Sequence, residues 1–265
     1  LLSGILTTTF HDLEIEITND TKLCFIPHGV LHHIPVHLAF AENNQTLNYN
    51  LLSKHRTFYI FNISFLQTLE KPAAMKKKEL SFLSINAIAQ LENIDKKTTQ
   101  YFNPEKVKII SGKQAGLHTT IEESRKYDII HFNCHGRVRG DIPEFSYLEL
   151  SNGERLRAVD IIGRMDLKAD LVLLSACNTA ITRIDSSEEM MALARAFIYA
   201  GAKTVIASLW KVQLEFTAFF MEKYFESWTS ADSVDKITAL HYAQKQSQKD
   251  PRWSHAFYWA PFILI

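Results

Sequence analysis

Cysteine is scarce in this chain, and that scarcity excludes a secreted fold stapled by disulfides. The 265 residues contain three cysteines, Cys24, Cys134 and Cys177, which are too few and too oddly numbered for a framework of bridges. Free thiols persist in reducing compartments, so we expect a cytoplasmic protein. Each thiol is then available for packing or for chemistry.

Long apolar runs and an excess of one charge are also absent. No stretch approaches the roughly 18–20 apolar residues that span a bilayer, and no signal sequence opens the chain. Basic and acidic residues number 29 each, so no overall field favours nucleic acid or an anionic membrane. Glycine-rich phosphate loops are missing, which removes support for nucleotide chemistry. The first residue is Leu1 rather than methionine, and we expect a piece of a longer protein.

Apolar strands alternate with amphipathic helices over most of the chain. The predicted strands cover 80–85, 107–110, 129–134, 171–175, 204–208 and 262–265, and the predicted helices 87–102, 115–125, 158–165, 187–199, 214–228 and 234–248. Continuous apolar strands between such helices predict an α/β fold with a mostly parallel sheet covered on both faces. A long polar loop with Gly140, Asp141 and Pro143 should follow the strand at 129–134, and a small hairpin at 147–153 should lie on the sheet edge.

The first third of the chain is patterned differently. Alternation at 13–17 and an apolar run at 23–26 suggest a hairpin, and further elements are predicted at 36–40, 58–61 and up to residue 69. Residues 70–79 lack periodicity and are predicted to be a solvated connector. We therefore expect an N-terminal part at 1–78 and a core at 79–265.

Two of the predicted strands end in reactive side chains. The stretch IIHFNCHG (129–136) ends in His135 and Gly136, and LVLLSACNT (171–179) contains Cys177. If these strands are parallel neighbours, His135 and Cys177 stand together at the carboxyl edge of the sheet, where open α/β folds place their ligands. A thiol near pKa 8.5 needs such a base to act as a nucleophile at neutral pH. The backbone N–H groups of Gly136 and Cys177 could form an oxyanion hole.

Blander interpretations apply to the same residues. A cysteine or histidine after a buried strand is often a packing or hydrogen-bonded core group, and we interpret Cys134 in that way. His131, Cys134 and His135 match no standard zinc spacing, and strand alternation places His131 and His135 on one face with Cys134 on the other. His28 is either an auxiliary group or a turn residue. We expect no metal and no cofactor.

A series of motifs resembles one protein family. In order they are IPHGVLHHIP (26–35), IHFNCHG (130–136), LSACNT (174–179), ALARAF (192–197), AGA (200–202), ASLW (207–210) and YWAPF (258–262). This series resembles the CHAT domain, which is often fused to tetratricopeptide repeats. The resemblance implies a caspase-like three-layer α/β/α sandwich of the caspase, separase and gingipain type, acting as a cysteine endopeptidase.

The resemblance also implies residue roles and partners. His135 would be the general base or acid, Cys177 the nucleophile, and Gly136 with Cys177 the oxyanion hole. The segment after Ala207, containing Ser208, Leu209 and Trp210, would pair with the substrate backbone. Activity would be switched by an upstream repeat region or by a partner such as a bacterial RNA-guided CRISPR effector.

Two departures from the family pattern concern the substrate pocket. The family usually carries acidic residues where this chain has 211–214, and a glycine-rich approach where it has 186–191. The side-chain preference of the pocket is therefore not carried over. The alternative function is a catalytically silent interaction module of the same fold.

Overall fold

A six-stranded sheet forms the centre of the protein. The computed structural model describes residues 21–38, 56–64, 76–87, 92–137, 142–175 and 187–265. Their strands are β1 (Lys22–Phe25), β2 (Arg56–Tyr59), β3 (Phe82–Asn86), β4 (Val107–Ser111), β5 (Ile129–Asn133), β6 (His135–Arg137), β7 (Tyr147–Glu149), β8 (Arg155–Arg157), β9 (Leu171–Leu174), β10 (Val205–Ser208) and β11 (Phe262–Leu264).

Helices cover both faces of this sheet. They are α1 (Glu92–Thr99), α2 (Leu117–Ser124), α3 (Ala158–Arg164), α4 (Ser187–Tyr199), α5 (Leu214–Trp228), α6 (Lys236–Lys249) and α7 (Ala256–Trp259). Short 3-10 helices lie at Gly29–His33, Val36–Leu38, Lys77–Glu79, Pro104–Lys106, Gly112–Gln114, Pro143–Phe145 and Ser151–Gly153. Within the described ranges, no helix is long and apolar enough to cross a membrane.

The strand order of the central sheet is β11-β10-β9-β5-β3-β4. Neighbouring strands are parallel except β10 and β11, which are antiparallel. The pairing of β5 with β9 sets Ile129 opposite Leu171 and Phe132 opposite Leu174. The mostly parallel sheet predicted from the sequence is confirmed, and so is the neighbour relation of these two strands.

Alternate residues of the central strands enter two separate cores. On one face Phe132 and Leu174 pack in a cluster that includes residues of α2, α3 and α4. On the other face Ile129 and Leu173 pack with residues of α5 and α6. Each fully buried side chain of this kind contributes roughly 1.5–3 kcal/mol to stability. The layers are therefore α/β/α, as the fold class predicted.

The helix that precedes β10 ends where the sequence indicates. α4 covers the predicted range and is followed by Gly201 with φ +109°, a backbone conformation that favours glycine. A Cβ at Gly201 would lie 2.2 Å from the carbonyl oxygen of Leu167. This close approach fixes α4 against the segment that leads into β9, so glycine is required there.

The region after His135 corrects two predictions. The expected loop begins with a strand, β6, and the expected edge hairpin is β7–β8, with Asn152 and Gly153 in its turn at positive φ. β6, β7 and β8 form a separate antiparallel sheet rather than an extension of the central one. Three-residue strands give too little alternation for detection from the sequence.

The described N-terminal residues pack on the core. β1 and β2 pair in parallel, while the predicted strand at 13–17 and most of the helix predicted to end at residue 69 lie outside the described residues. Tyr59 belongs to one of the main cores. At the end of the predicted connector, Lys77 is buried and its ammonium group donates to the carbonyl of Ala231 at 2.7 Å. The prediction of a fully solvated connector is therefore wrong at Lys77, and the 78/79 domain boundary stays a prediction.

Candidate active site

The carboxyl ends of β5 and β9 lie side by side. The N–H of Ser175 donates to the carbonyl of Phe132 at 3.1 Å, which continues the parallel ladder one residue beyond β9. Cys177 follows two positions later and lies outside the described residues. The sheet therefore brings the chain to within two residues of the predicted nucleophile, beside the strand that leads to His135.

His135 is the first residue of β6 rather than a turn residue at the end of β5. It is half-buried and stands opposite Glu149 in the antiparallel pair, while Gly136 is buried opposite Leu148. Arg137 forms an ion pair with Glu149 across the same pair of strands, at 3.0 Å. Among the described residues, no group hydrogen-bonds to the His135 ring. The small sheet thus fixes the backbone at His135, while the described residues give its ring no hydrogen bond.

Six buried polar side chains form a connected cluster on the face of the sheet that carries α5. They come from the third and last residues of β3 and of β5, from the residue after β9, and from α1. We term them the carboxyl-edge network: Ser84, Asn86, Asp95, His131, Asn133 and Ser175. The apolar character of this face therefore ends where the strands approach the predicted dyad.

Asp95 anchors one side of the network. Its carboxylate accepts from the hydroxyl of Ser84 at 2.5 Å and from the side-chain amide of Asn86. The amide nitrogen of Asn133 donates to the Asn86 side-chain oxygen at 2.9 Å and lies 3.1 Å from the Ser84 hydroxyl. These side-chain bonds therefore tie α1 to β3 and add to the backbone pairing of β3 with β5.

His131 joins the other side of the network to β9. Its Nε2 lies 2.7 Å from the Ser175 hydroxyl, and its ring meets Phe82 edge-on. Burial lowers the pKa of His131 to about 3, so the ring is neutral at physiological pH. His131 is thus a hydrogen-bonded core histidine.

The same geometry bears on the metal hypothesis. Cys134 is fully buried in the apolar core of the opposite face. The chain leaves the central sheet at Cys134, so the alternation expected to bring His131 and His135 to one face stops before His135. The described ranges hold no group of three or more His, Cys, Asp or Glu side chains arranged for a metal ion.

The predicted substrate segment begins at Ser208, the last residue of β10. Ser208 and Leu209 are buried: the Ser208 hydroxyl donates to the Trp210 carbonyl at 2.6 Å, and the Leu209 N–H donates to the Pro261 carbonyl at 2.9 Å. Trp210 is half-buried, and its indole N–H donates to the Phe257 carbonyl at 2.9 Å. Of the three, Trp210 presents side-chain surface. Their contact with substrate remains a prediction.

Two other histidines lie apart from the network, and His28 is one of the residues considered from the sequence. His28 is exposed beside a 3-10 helix. His37 is buried, its ring Nδ1 lies 2.6 Å from the Tyr59 hydroxyl, and burial lowers its pKa to about 3. Among the described residues, neither forms a hydrogen bond with His135.

Sequence reasoning missed most of the network. The signal was present as polar residues at alternate positions near the ends of apolar strands, at Ser84 and Asn86 in β3 and at His131 and Asn133 in β5. Register determines which of these side chains meet, and Asp95 arrives from a helix. Neither relation follows from one strand read alone.

Comparison with known proteins identifies the family. The family model of the CHAT domain matches residues 5–265. Tetratricopeptide repeat protein 28 from Homo sapiens is 31% identical over 110 residues, and that from Mus musculus 32% over the same length. Each match covers 42% of this chain and 4% of the relative's length.

Solved structures share the fold. A chain of the Saccharomyces cerevisiae separase–securin complex superposes with a TM-score of 0.58 at 13% identity, covering 88% of this chain and 15% of that one. The cysteine proteinase gingipain R gives a TM-score of 0.52 at 12% identity, covering 79% of this chain and 53% of that one. Similarity at this level of identity shows a common caspase-like architecture. The family match covers nearly the whole sequence, and the chain belongs to the CHAT domain family.

Proposed function

We propose that the protein is a cysteine endopeptidase with Cys177 as nucleophile and His135 as general acid and base. The observation that supports this most strongly is the parallel pairing of β5 with β9, continued by the bond from Ser175 to Phe132. This pairing directs both chain segments to one edge of the sheet. The family membership and the caspase-like fold agree with that chemistry.

The proposed reaction proceeds through a thioester. His135 accepts the Cys177 proton, the thiolate attacks the scissile carbonyl carbon, and the N–H groups of Gly136 and Cys177 bind the oxyanion. The carbon–nitrogen bond then breaks as His135 protonates the leaving amine. Water, deprotonated by His135, hydrolyses the thioester and regenerates the thiol. No cofactor takes part in these steps.

The substrate in this proposal is an extended protein segment. Trp210 packs against Phe257 with ring centroids 6.1 Å apart, and Phe257 is exposed. These two side chains offer an apolar wall beside the carboxyl edge. The backbone after β10 would pair with the substrate strand, as Ser208, Leu209 and Trp210 were predicted to do.

Control from outside the chain is part of the proposal. The similar relatives carry tetratricopeptide repeats in their name, and this chain matches only a small part of their length. An upstream repeat region, or a bound complex such as an RNA-guided CRISPR effector, would then switch a cytoplasmic peptidase. A chain that cleaves at full rate without either would contradict the switch.

Substitution of the dyad tests the peptidase function. In the full-length parent, Cys177→Ala and His135→Ala should each abolish cleavage of the natural partner, with a loss of about 10²–10⁴-fold for the acid–base residue. Cleavage that persists in either variant would contradict the mechanism.

Labelling separates the peptidase from a silent interaction module. A peptidyl acyloxymethyl ketone should modify Cys177 much faster than Cys24, whose thiol pKa is raised by burial, or the fully buried Cys134. Peptide mapping by mass spectrometry reports all three rates in one sample. Equal rates would favour the interaction module.

A further inference from the structure

The carboxyl-edge network ends at two positions with the same relation to the dyad. Asn133 precedes His135 by two residues, and Ser175 precedes Cys177 by two residues. His131 lies between them, with Nδ1 3.5 Å from the Asn133 amide nitrogen and Nε2 2.7 Å from the Ser175 hydroxyl. The two segments that carry the dyad are therefore linked through one imidazole ring.

The bond between His131 and Ser175 forms with either tautomer of the neutral ring. Nε2–H donates to the Ser175 oxygen, or the Ser175 hydroxyl donates to an unprotonated Nε2. This 2.7 Å bond is therefore the stronger half of the link, and the 3.5 Å approach of the Asn133 amide nitrogen to Nδ1 is the weaker half.

The network is also held from outside the sheet. Asp95 lies on α1, and α1 is fixed to α5 by contact of Ile94 with Ala218 and by the ion pair of Lys97 with Glu222 at 2.9 Å. Hydrogen bonds from Ser84 and Asn86 tie this helix to β3. The ends of β3 and β5 are therefore hydrogen-bonded, through Asp95, to a helix that packs on α5.

We propose that His131 is a positioning residue that sets the separation of His135 and Cys177 by linking Asn133 to Ser175. This inference rests on the proposed peptidase function for its effect on catalysis. A displacement of about 1 Å between reacting groups lowers a rate by about 100-fold, so loss of the link should affect chemistry more than binding.

The experiment replaces matched pairs of buried residues in the intact protein. His131→Leu is compared with His37→Leu, because both rings are buried, neutral and bonded to one hydroxyl. Ser175→Ala is compared with Ser247→Ala. Ser247 is also buried, and its hydroxyl donates to the carbonyl of Ala243. Neither control residue belongs to the network.

Two readouts are measured for every variant. The first is the rate of Cys177 alkylation by iodoacetamide as a function of pH, which reports the pairing of thiol and imidazole. The second is amide hydrogen exchange at Ser175, whose N–H bonds to the carbonyl of Phe132. Thermal unfolding of each variant is recorded to match overall stability.

Loss of the link has a defined pattern. His131→Leu should lower the alkylation rate near neutral pH by about 100-fold and speed Ser175 exchange by roughly tenfold, the equivalent of one lost hydrogen bond. His131→Gln, which can donate to Ser175, should recover part of both. His37→Leu should lower the melting temperature without changing either readout.

The possible failures are distinguishable. Exchange and alkylation that are the same in His131→Leu and His37→Leu would overturn the positioning role. Alkylation of Cys177 that does not depend on His135 would overturn the peptidase function, and the exchange readout would still decide whether His131 fixes Ser175. A decrease in stability alone, with both readouts unchanged, counts against the inference.

Discussion

Both edges of the central sheet carry polar side chains, but the two edges are built differently. At the carboxyl edge, neutral side chains and one carboxylate form the network around His131. At the amino edge, the residues that immediately precede β3, β5, β9 and β10 are Ser81, Asp128, Asp170 and Thr204. These bond mainly to the backbone of neighbouring strand starts and to charged groups of the helices.

The amino edge holds the layers together. Asp170 forms an ion pair with Lys236 at 2.8 Å, and Lys236 also lies 5.9 Å from the Trp228 ring centroid. Lys77, from the N-terminal part of the chain, approaches the same ring at 5.8 Å. Asp128 accepts from both the N–H and the hydroxyl of Ser81. These interactions join strands, helices and the N-terminal part to one another, and none of them leads to the predicted dyad.

The hydrogen bonds at the carboxyl edge extend toward the predicted dyad instead. They lead to Asn133 and Ser175, and from each the chain continues to a member of the predicted dyad. We infer that amino-edge side chains serve stability and that carboxyl-edge side chains also serve placement of reacting groups. Substitutions at the two edges should therefore separate stability from Cys177 reactivity.

The largest effect is expected at Asp95. Asp95→Ala removes the acceptor of two buried donors, which should destabilise the fold by about 2–3 kcal/mol and lower Cys177 reactivity by about 100-fold. Asp95→Asn keeps one acceptor oxygen and gains an amide N–H that can donate to the Ser84 hydroxyl. It should therefore retain most of the stability and most of the Cys177 reactivity. Iodoacetamide kinetics and urea unfolding measure these quantities.

A control on the same helix sharpens the Asp95 experiment. The hydroxyl of Thr98 is buried in α1 and donates to the Ile94 carbonyl. Thr98→Ala should reduce stability without altering Cys177. Equal losses of reactivity in Thr98→Ala and Asp95→Ala would show that helix stability, rather than the network, is what matters.

The next effect is expected at the amino edge. Asp170→Ala leaves the poorly exposed ammonium group of Lys236 without its ion pair and should destabilise the fold by about 2 kcal/mol, between the values for buried and exposed pairs. Cys177 alkylation should stay at the wild-type rate. Asp166→Ala, at an exposed position four residues earlier, serves as the control for urea unfolding.

Acid should destabilise the protein through two buried histidines, His37 and His131. The folded-state pKa of His131 and of His37 is about 3, below the ordinary value of 6.5, so the unfolded chain binds protons that the folded chain does not. Their stabilisation is complete above pH 6.5 and is lost as the pH falls toward 3. Each contributes a slope of about 1.4 kcal/mol per pH unit within that window.

The slope is measured by urea unfolding at several pH values. His131→Leu and His37→Leu should each lower the pH dependence of the unfolding free energy by the contribution of one histidine, about 1.4 kcal/mol per pH unit. An unchanged slope in both variants would contradict the assignment of neutral buried rings.

The smallest effect is expected for a double substitution at the amino edge. Burial lowers the pKa of Lys236, which means that its charge is partly desolvated in the folded protein. The double substitution Asp170→Ala with Lys236→Met removes the free-energy cost of desolvating the Lys236 charge. The methionine keeps an apolar side chain near Trp228. The stability of the double variant should return to within about 1 kcal/mol of wild type, measured by the same urea unfolding. A double variant less stable than Asp170→Ala would contradict this interpretation.

The fold could be predicted from the sequence where pattern and period were strong. The bounds of α4 and α5 follow from long amphipathic repeats, and the pairing of β5 with β9 follows from two continuous apolar runs. His135 could be selected as a candidate residue, but its place in a three-residue strand could not. The network could not be predicted, because the partners of Asp95 and His131 are determined by the packing of α1 on the sheet and by the register of the strands.

The rate of Cys177 alkylation as a function of pH tests the central claim most directly. With iodoacetamide, the wild-type protein should react through a thiolate that forms well below the ordinary cysteine pKa of about 8.5, and His135→Ala should return the profile to that value. Such a dependence means that the two side chains meet at the carboxyl edge. A wild-type profile that matches His135→Ala, with a rate no higher than that of Cys24, would contradict the account.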